Sequence, residues 1–260
     1  MPRTHIKKWS AEECLEKHKK NMQGQKSFRH MIKSKRLIRK NFLKDTALRV
    51  ITKKVEKLFK DINPEDRETF KFLNKEGAKN MRDALWFGFE EDGYLPHYRT
   101  ASSSYGRPEA PIRKMDATKP APKWLQYVAR KMEKISGHKK NHFVIHRYFD
   151  ENDKIGAHHD KTQDLSIGSS IFCLSLGSSR KFRITANKKD KWLDHNLRAD
   201  FKVKPNYCVQ LPWDINQVYR HEIVPCKKYR EVRYSITARS KCTMYNPETK
   251  HQKIINTKLN

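Results

Sequence analysis

Residues 153–165, DKIGAHHDKTQDL, set His158 and Asp160 two positions apart in a chain otherwise crowded with lysine. On a β-strand, residues i and i+2 face the same way, so both side chains can reach one ion while His159 points to the other face. One imidazole and one carboxylate do not make a tight metal site. The natural third ligand is His221 in NQVYRHEIVP, which is flanked by strand-like sequence. Two histidines and one carboxylate on one side of an ion leave three positions open, which suits non-haem Fe(II) with a bidentate cosubstrate and O2. An HxD triplet also arises readily in a chain with 12 histidines, as a structural or surface pair.

A second chemical pattern lies at residues 233–239, RYSITAR, which alternates strictly. Arg233, Ser235, Thr237 and Arg239 share one face of a strand; Tyr234, Ile236 and Ala238 share the other. Two arginines on the inward face of a small barrel are costly unless they meet anions. A dicarboxylate cosubstrate supplies such anions, because a guanidinium holds a carboxylate through two parallel hydrogen bonds. A solvated face, or arginines that bind phosphate directly, would give the same pattern.

These residues must be positioned by strands. From residue 141 onward the runs HFVIHRYF, SSIFCLSLG, KFRITAN, FKVKPNYCVQLPW and VRYSITARS are short, rich in β-branched and aromatic residues, and separated by turn residues. Upstream, Ser10 and Glu13 form a capping-box pattern. Ile38, Phe42, Leu43, Leu48, Ile51, Val55, Leu58 and Phe59 recur at roughly helical spacing. Residues 63–93 read as turn, helix and then strand. TASSSYGRPEAPIRKMDATKPAPKW reads as a long loop of the kind that forms a functional lid. PKWLQYVARKMEKISG reads as an amphipathic helix with Trp124, Leu125, Val128 and Met132 on one side and Gly137 as its stop. This order predicts a mainly β, α+β chain: a barrel or double-sheet sandwich with helices packed outside. Its parts are a basic helical N-terminal extension (1–62), a catalytic domain (63–240) with a lid region at about 85–120, and a polar C-terminal tail (241–260).

The chain carries a formal net charge of +28, far beyond what solubility needs. Such an excess points to a polyanionic partner, most often nucleic acid. Residues 1–62 hold 19 Lys/Arg against 6 Asp/Glu, so nearly half the excess sits in under a quarter of the length. A basic arm touching phosphates accounts for that density, and a solvated helical face is the alternative. The five cysteines are scattered without a CxxC pair, which fits a reducing, intracellular setting rather than a disulfide framework or a cysteine zinc site. No apolar run approaches membrane-spanning length, so no membrane partner is expected. KSKRLIRK could serve as a nuclear address. Oligomeric state is left open.

Taken in order, HRYFDENDKIGAHHD, SSIFCLSLGSSRKFRI, VYRHEIVP and RYSITAR resemble the AlkB-like 2-oxoglutarate/Fe(II) dioxygenases, and YRTASSSYG and KPAPKWL resemble that family's nucleotide-lid region. The resemblance covers about residues 85–240. Related oxidases of 5-methylpyrimidines, of the TET/JBP type, share much of the pattern. It implies a double-stranded β-helix (jelly-roll) core, with Fe(II) and 2-oxoglutarate as cofactors and O2 as cosubstrate. By the resemblance, His158, Asp160 and His221 are the iron ligands. Arg233 pairs with the distal carboxylate of 2-oxoglutarate, Arg239 lies near its other end and the aspartate ligand, and Tyr148 hydrogen-bonds the cosubstrate. Arg99 and Tyr105 fall in the lid, and Trp86 is placed to stack on a base. No catalytic group beyond the metal ligands is singled out.

The pattern departs from the family at three places. His146 and Ser235 stand where asparagines are common, both at cosubstrate contacts. Lys161 and Thr162 follow the HxD where repair enzymes for methylated adenine or cytosine often carry an acidic residue, and the next carboxylate is Asp164. A carboxylate there would accept from an exocyclic amino group or favour a cationic base; Thr162 carries no charge. The expected activity is oxidative demethylation of bases in DNA or RNA, with hydroxylation of a 5-methylpyrimidine or of a protein side chain as alternatives. A nucleic-acid-binding module with an inactive barrel is a further rival.

Overall fold

The computed structural model describes residues 9–62, 69–72, 75–79, 82–96, 119–162, 164–186, 194 and 196–259. Its early helices are α1 (Ala11–Met22), α2 (Phe28–Ser34) and α3 (Asp45–Leu58), with the short strand β1 (Ile38–Arg39) between the last two. Strands β2 (Thr69–Phe72), β3 (Lys75–Lys79), β4 (Asp83–Gly88), β5 (Leu95–Pro96) and β6 (Lys119–Pro120) precede helix α4 (Leu125–Ser136). There follow β7 (His142–Tyr148), β8 (Ile155–His158), β9 (Ile171–Gly177), β10 (Arg180–Thr185), β11 (Arg198–Val203) and β12 (Cys208–Leu211). Helix α5 (Trp213–Val218), β13 (Arg220–Val224), β14 (Arg233–Arg239), β15 (Thr243–Tyr245) and β16 (Gln252–Ile254) complete the order.

Two sheets make the core. The larger runs β1-β12-β9-β14-β7-β4-β6 and the smaller β11-β10-β13-β8. Strand pairing is antiparallel throughout both except between β4 and β6. Tyr148, Ile171, Val209 and Leu211 from the large sheet meet Phe182, Ile184, Ala199, Val203 and Ile223 from the small one in a shared apolar cluster. That double-sheet arrangement is the jelly-roll expected from the resemblance. The outer side of the large sheet, through Phe143, Ile145, Phe172, Leu174, Ile236 and Ala238, is covered by Ile51 and Val55 of α3 and by Leu125, Val128 and Met132 of α4. Helix α4 forms because its apolar residues recur every three or four positions. It stops at Gly137, whose φ of 65° is the left-handed conformation that glycine adopts without strain.

Four expectations change. Ile38 is not helical; β1 pairs with β12, Ile38 opposite Val209, and extends the large sheet. The helix expected within 63–93 is a hairpin of β2 and β3, since the period-two Thr-Phe-Lys-Phe run follows strand rather than helix spacing. The boundary at residue 62 does not set off a separate extension. Cys14, Phe28, Met31 and Ile32 join the cluster between the sheets, and Phe42, Leu43, Ile51, Val55 and Phe59 join the outer one. The stretch 241–260, read as a featureless polar tail, supplies β15 and β16, with β15 also pairing with β5. Among the described residues no helix is long and apolar enough to cross a membrane.

Candidate metal and cosubstrate site

The inward face of the large sheet is a grid set by strand register. Gly177, Arg233 and Tyr148 form one row across β9, β14 and β7. Ser175, Ser235, His146 and Ala84 form the next, reaching β4. Cys173, Thr237, Val144 and Trp86 form the third, and Arg239, His142 and Gly88 the fourth. Successive rows along a strand are about 7 Å apart. Chemistry is therefore graded along β14, from Arg233 at one end to Arg239 at the other.

The small sheet contributes the metal-binding groups. His221 on β13 is the register partner of His158 at the end of β8, which brings the two ring centroids to 4.3 Å. Asp160 follows directly, and one potential ligand atom from each of His158, Asp160 and His221 lies within 4.8 Å of the others. His158 Nδ1 is 2.7 Å from the carbonyl oxygen of Gly156. As the donor there, Nδ1 leaves the Nε2 lone pair free, 3.5 Å from Asp160 Oδ1. The other carboxylate oxygen, Oδ2, accepts from Arg239 Nε at 2.9 Å and is 2.8 Å from Arg239 Nη2. The carboxylate is thus divided, one oxygen for the guanidinium and one facing the imidazoles.

The electrostatics prepare these groups for an ion. Burial alone would raise the Asp160 carboxyl, but Arg239, helped by His158 and His221, holds it well below the usual carboxylate range. Burial, reinforced by neighbouring His158 and Arg239 and only partly opposed by Asp160, lowers His221 to about 3. An ionised carboxylate beside the neutral His221 imidazole is the protonation state a divalent metal requires.

At the other end of the grid, Arg233 is 1% exposed. Its Nε donates to Ser175 Oγ at 3.0 Å, its Nη2 lies 3.9 Å from Cys173 Sγ, and its guanidinium sits 4.8 Å from the Tyr148 ring centroid. Its Nη1 is buried with no hydrogen-bond partner among the described residues. A buried guanidinium left with an unmatched donor fits a carboxylate-bearing ligand. Burial, joined by the charges of Arg82, Arg239 and Arg233, keeps the adjacent His146 far below its normal value and hence neutral. The donor set, a two-histidine, one-carboxylate cluster with a cationic pocket along the same sheet, fits Fe(II) and 2-oxoglutarate together.

A model of the 2OG-Fe(II) oxygenase superfamily matches residues 4–239. The chain belongs to that superfamily. It is a dioxygenase, and its family uses Fe(II) and 2-oxoglutarate. No curated protein matches the chain. Among solved structures, that of OsALKBH1 superposes with a TM-score of 0.50 at 15% identity, over 78% of this chain and 96% of that one; the likeness is one of fold.

Of the residues singled out from sequence, the oxygenase fold gathers His158, Asp160, His221, Arg233, Arg239, Tyr148, His146 and Ser235 into the two linked clusters described above. Trp86 is half-buried and lies opposite Val144, on the inward side of β4. Phe87, the next residue on β4, is buried in the outer core. Thr162 is buried, and its carbonyl accepts from Leu165 N at 3.1 Å in the turn that follows Asp160. Asp164 is buried with Lys241 Nζ 4.0 Å from its carboxylate, so the nearest alternative acid already has a cation beside it. Arg99, Tyr105 and most of the lid region lie outside the described residues.

Sequence reading missed Asn216. This residue of α5 is 1% exposed, and its side chain accepts from Asp160 N at 2.9 Å and donates to Asp160 O at 3.0 Å. Its own carbonyl oxygen is 2.8 Å from His159 Nδ1. Asn216 therefore clamps the backbone of the HxD turn from both sides. Ser175, the acceptor for Arg233, was missed as well. A buried asparagine just ahead of VYRHEIVP is the one signal that could have drawn attention.

Proposed function

We propose that this oxygenase oxidises methyl groups on nucleic-acid bases, as AlkB-like enzymes do. In this reading His158, Asp160 and His221 hold the iron, and Arg233, with Tyr148, His146 and Ser235 beside it, receives 2-oxoglutarate. When bound, iron and 2-oxoglutarate supply the oxidising chemistry that turns a methyl C–H into C–OH, with O2 consumed and succinate and CO2 released. The chain's residues do the positioning. Arg239 fixes the orientation of the Asp160 carboxylate, and Asn216 fixes its backbone. Trp86 faces inward where a base could stack, and Arg99, Tyr105 and Thr162 are the remaining substrate contacts. A hydroxyl placed on an N-methyl group leaves as formaldehyde; one placed on a C-methyl group stays.

The observation that carries the nucleic-acid substrate is the net charge of +28, which a small-molecule or neutral protein substrate does not call for. A second reading, hydroxylation of a 5-methylpyrimidine in the manner of TET/JBP-type oxidases, is favoured by Thr162: no carboxylate stands two residues beyond Asp160 to accept from an exocyclic amino group or to favour a cationic base. The test is succinate release from 2-oxoglutarate with methylated DNA and RNA oligonucleotides, followed by mass spectrometry of the nucleosides. Acceleration that weakens with added salt supports a nucleic-acid substrate. Formaldehyde release then identifies demethylation, and gain of one oxygen identifies stable hydroxylation. Acceleration only by protein substrates refutes the reading.

A further inference from the structure

We propose that Arg82 is a second cation for the distal carboxylate of 2-oxoglutarate, acting with Arg233 across Tyr148. The proposal rests on the reading of Arg233 as the cosubstrate's anchor. Its basis is the register of β4 against β7. Asp83 stands opposite Arg147, and its carboxylate takes the Arg147 Nε at 2.6 Å on the outer side of the sheet, where Arg147 also donates to the carbonyls of Phe59 and Ile62. Arg82 is the residue immediately before β4, and continuing that antiparallel register by one residue would set it opposite Tyr148. Alternation then turns its side chain to the inward face. Arg82 thereby joins the row of Gly177, Arg233 and Tyr148, on the side of Tyr148 away from Arg233.

Three observations agree with that placement. Arg82 is half-buried, and its Nε is shielded from solvent with no hydrogen-bond partner among the described residues, as is Nη1 of Arg233. Two guanidinium groups in one row therefore both hold an unmatched donor. The charge of Arg82 also acts on the two inward residues His146 and Tyr148. Finally, two strand spacings separate Arg82 from Arg233, about 10 Å between backbones, which two extended arginine side chains can bridge onto one carboxylate. The row lies at the opposite end of the grid from Arg239 and Asp160, about 20 Å along the strand at row spacing, so Arg82 addresses the cosubstrate's far end and not the metal. A pocket with two cations discriminates strongly against a 2-oxo acid that lacks the distal carboxylate.

The test is calorimetric binding of 2-oxoglutarate and of 2-oxopentanoate, which has the same chain length without the distal carboxylate, to the full chain loaded with Mn(II). Wild type is compared with Arg82→Ala and Arg82→Lys. Loss of a charge-assisted hydrogen bond weakens 2-oxoglutarate by roughly ten- to a hundredfold in the alanine variant and leaves 2-oxopentanoate unchanged, with lysine restoring part of the difference. If Arg82→Ala binds 2-oxoglutarate as wild type does, or weakens both acids equally, the role for Arg82 is overturned while the site stands. If wild type shows no preference for 2-oxoglutarate over 2-oxopentanoate, the reading of Arg233 fails. Should the alanine variant not fold, Arg82→Gln, which keeps much of the side-chain length without the charge, carries the same comparison, and unchanged selectivity there overturns the proposal.

Discussion

The two faces of β14 are buried to the same degree and chemically opposed. On one, Ile236 and Ala238 are fully buried against α3, α4 and the neighbouring strands, with Tyr234 packed alongside. On the other, Arg233, Ser235, Thr237 and Arg239 are each no more than 8% exposed, yet every one is polar. The first face stabilises the fold through apolar area removed from water. The second gives up that stabilisation and places two guanidinium groups where only partners of opposite charge offset their desolvation. Arg239 has its partner within the chain, Asp160. Arg233 has no carboxylate partner among the described residues, and this asymmetry separates the end where an ion pair fixes the candidate metal ligand Asp160 from the end with an unmatched guanidinium.

Substitutions can break or sharpen this contrast, beginning with the largest effect on turnover. Asp160→Ala removes the proposed metal ligand and leaves Arg239 buried without its carboxylate. Turnover should vanish, and a thermal melt should show a loss of about 3–5 kcal/mol; retained turnover would refute the site. Arg233→Ala should raise the KM for 2-oxoglutarate by roughly a hundredfold, through the lost charge-assisted contact, without changing Mn(II) affinity by calorimetry. Asn216→Ala should weaken metal binding by about 10–100-fold, since it frees the turn that carries Asp160. On the apolar face, Ile236→Ala should cost about 2–5 kcal/mol in denaturant unfolding and leave the KM for 2-oxoglutarate unaltered. A shift in KM there would show that the two faces are not independent.

A last effect, on stability and not on turnover, is a pH slope. Lys140 is fully buried; burial, only partly opposed by Glu133, lowers it from 10.5 to about 7, with Nζ donating to Ser170 O and Ser240 Oγ. Between pH 7 and 10.5 the unfolded chain binds the proton more tightly than the fold does. Stability should therefore rise with pH across that window, and Lys140→Met should flatten the rise in denaturant midpoints.

What could be read from sequence followed from local periodicity. The alternation of RYSITAR gave both faces of β14, and the spacing in α4 with Gly137 gave that helix and its end. The i, i+2 spacing of His158 and Asp160 set them side by side, and strand-like flanks around His221 placed it within reach. What escaped depends on contacts distant in sequence. Asn216 grips Asp160 across 56 positions, Ser175 meets Arg233 across 58, and β1 pairs with β12 across about 170. No window on the chain contains both partners of any of these. The N-terminal block was legible in its charge and not in its packing: its lysines and arginines pointed to a phosphate-binding arm, and the core contacts of the apolar residues between them are distant in sequence.

The family match ends at Arg239, but the polypeptide does not leave the molecule there. Beyond it, Cys242 N bonds to Asp164 O, Lys139 N to Thr257 O, and Leu259 N to Gly137 O, with Thr257 fully buried. A fragment trimmed to the family limit would strip the seam that fastens the ends of α4 and β7 to the turn after Asp160, and would expose β5 along one edge. Expression plasmids for this enzyme should therefore extend well past Arg239, at least through Leu259.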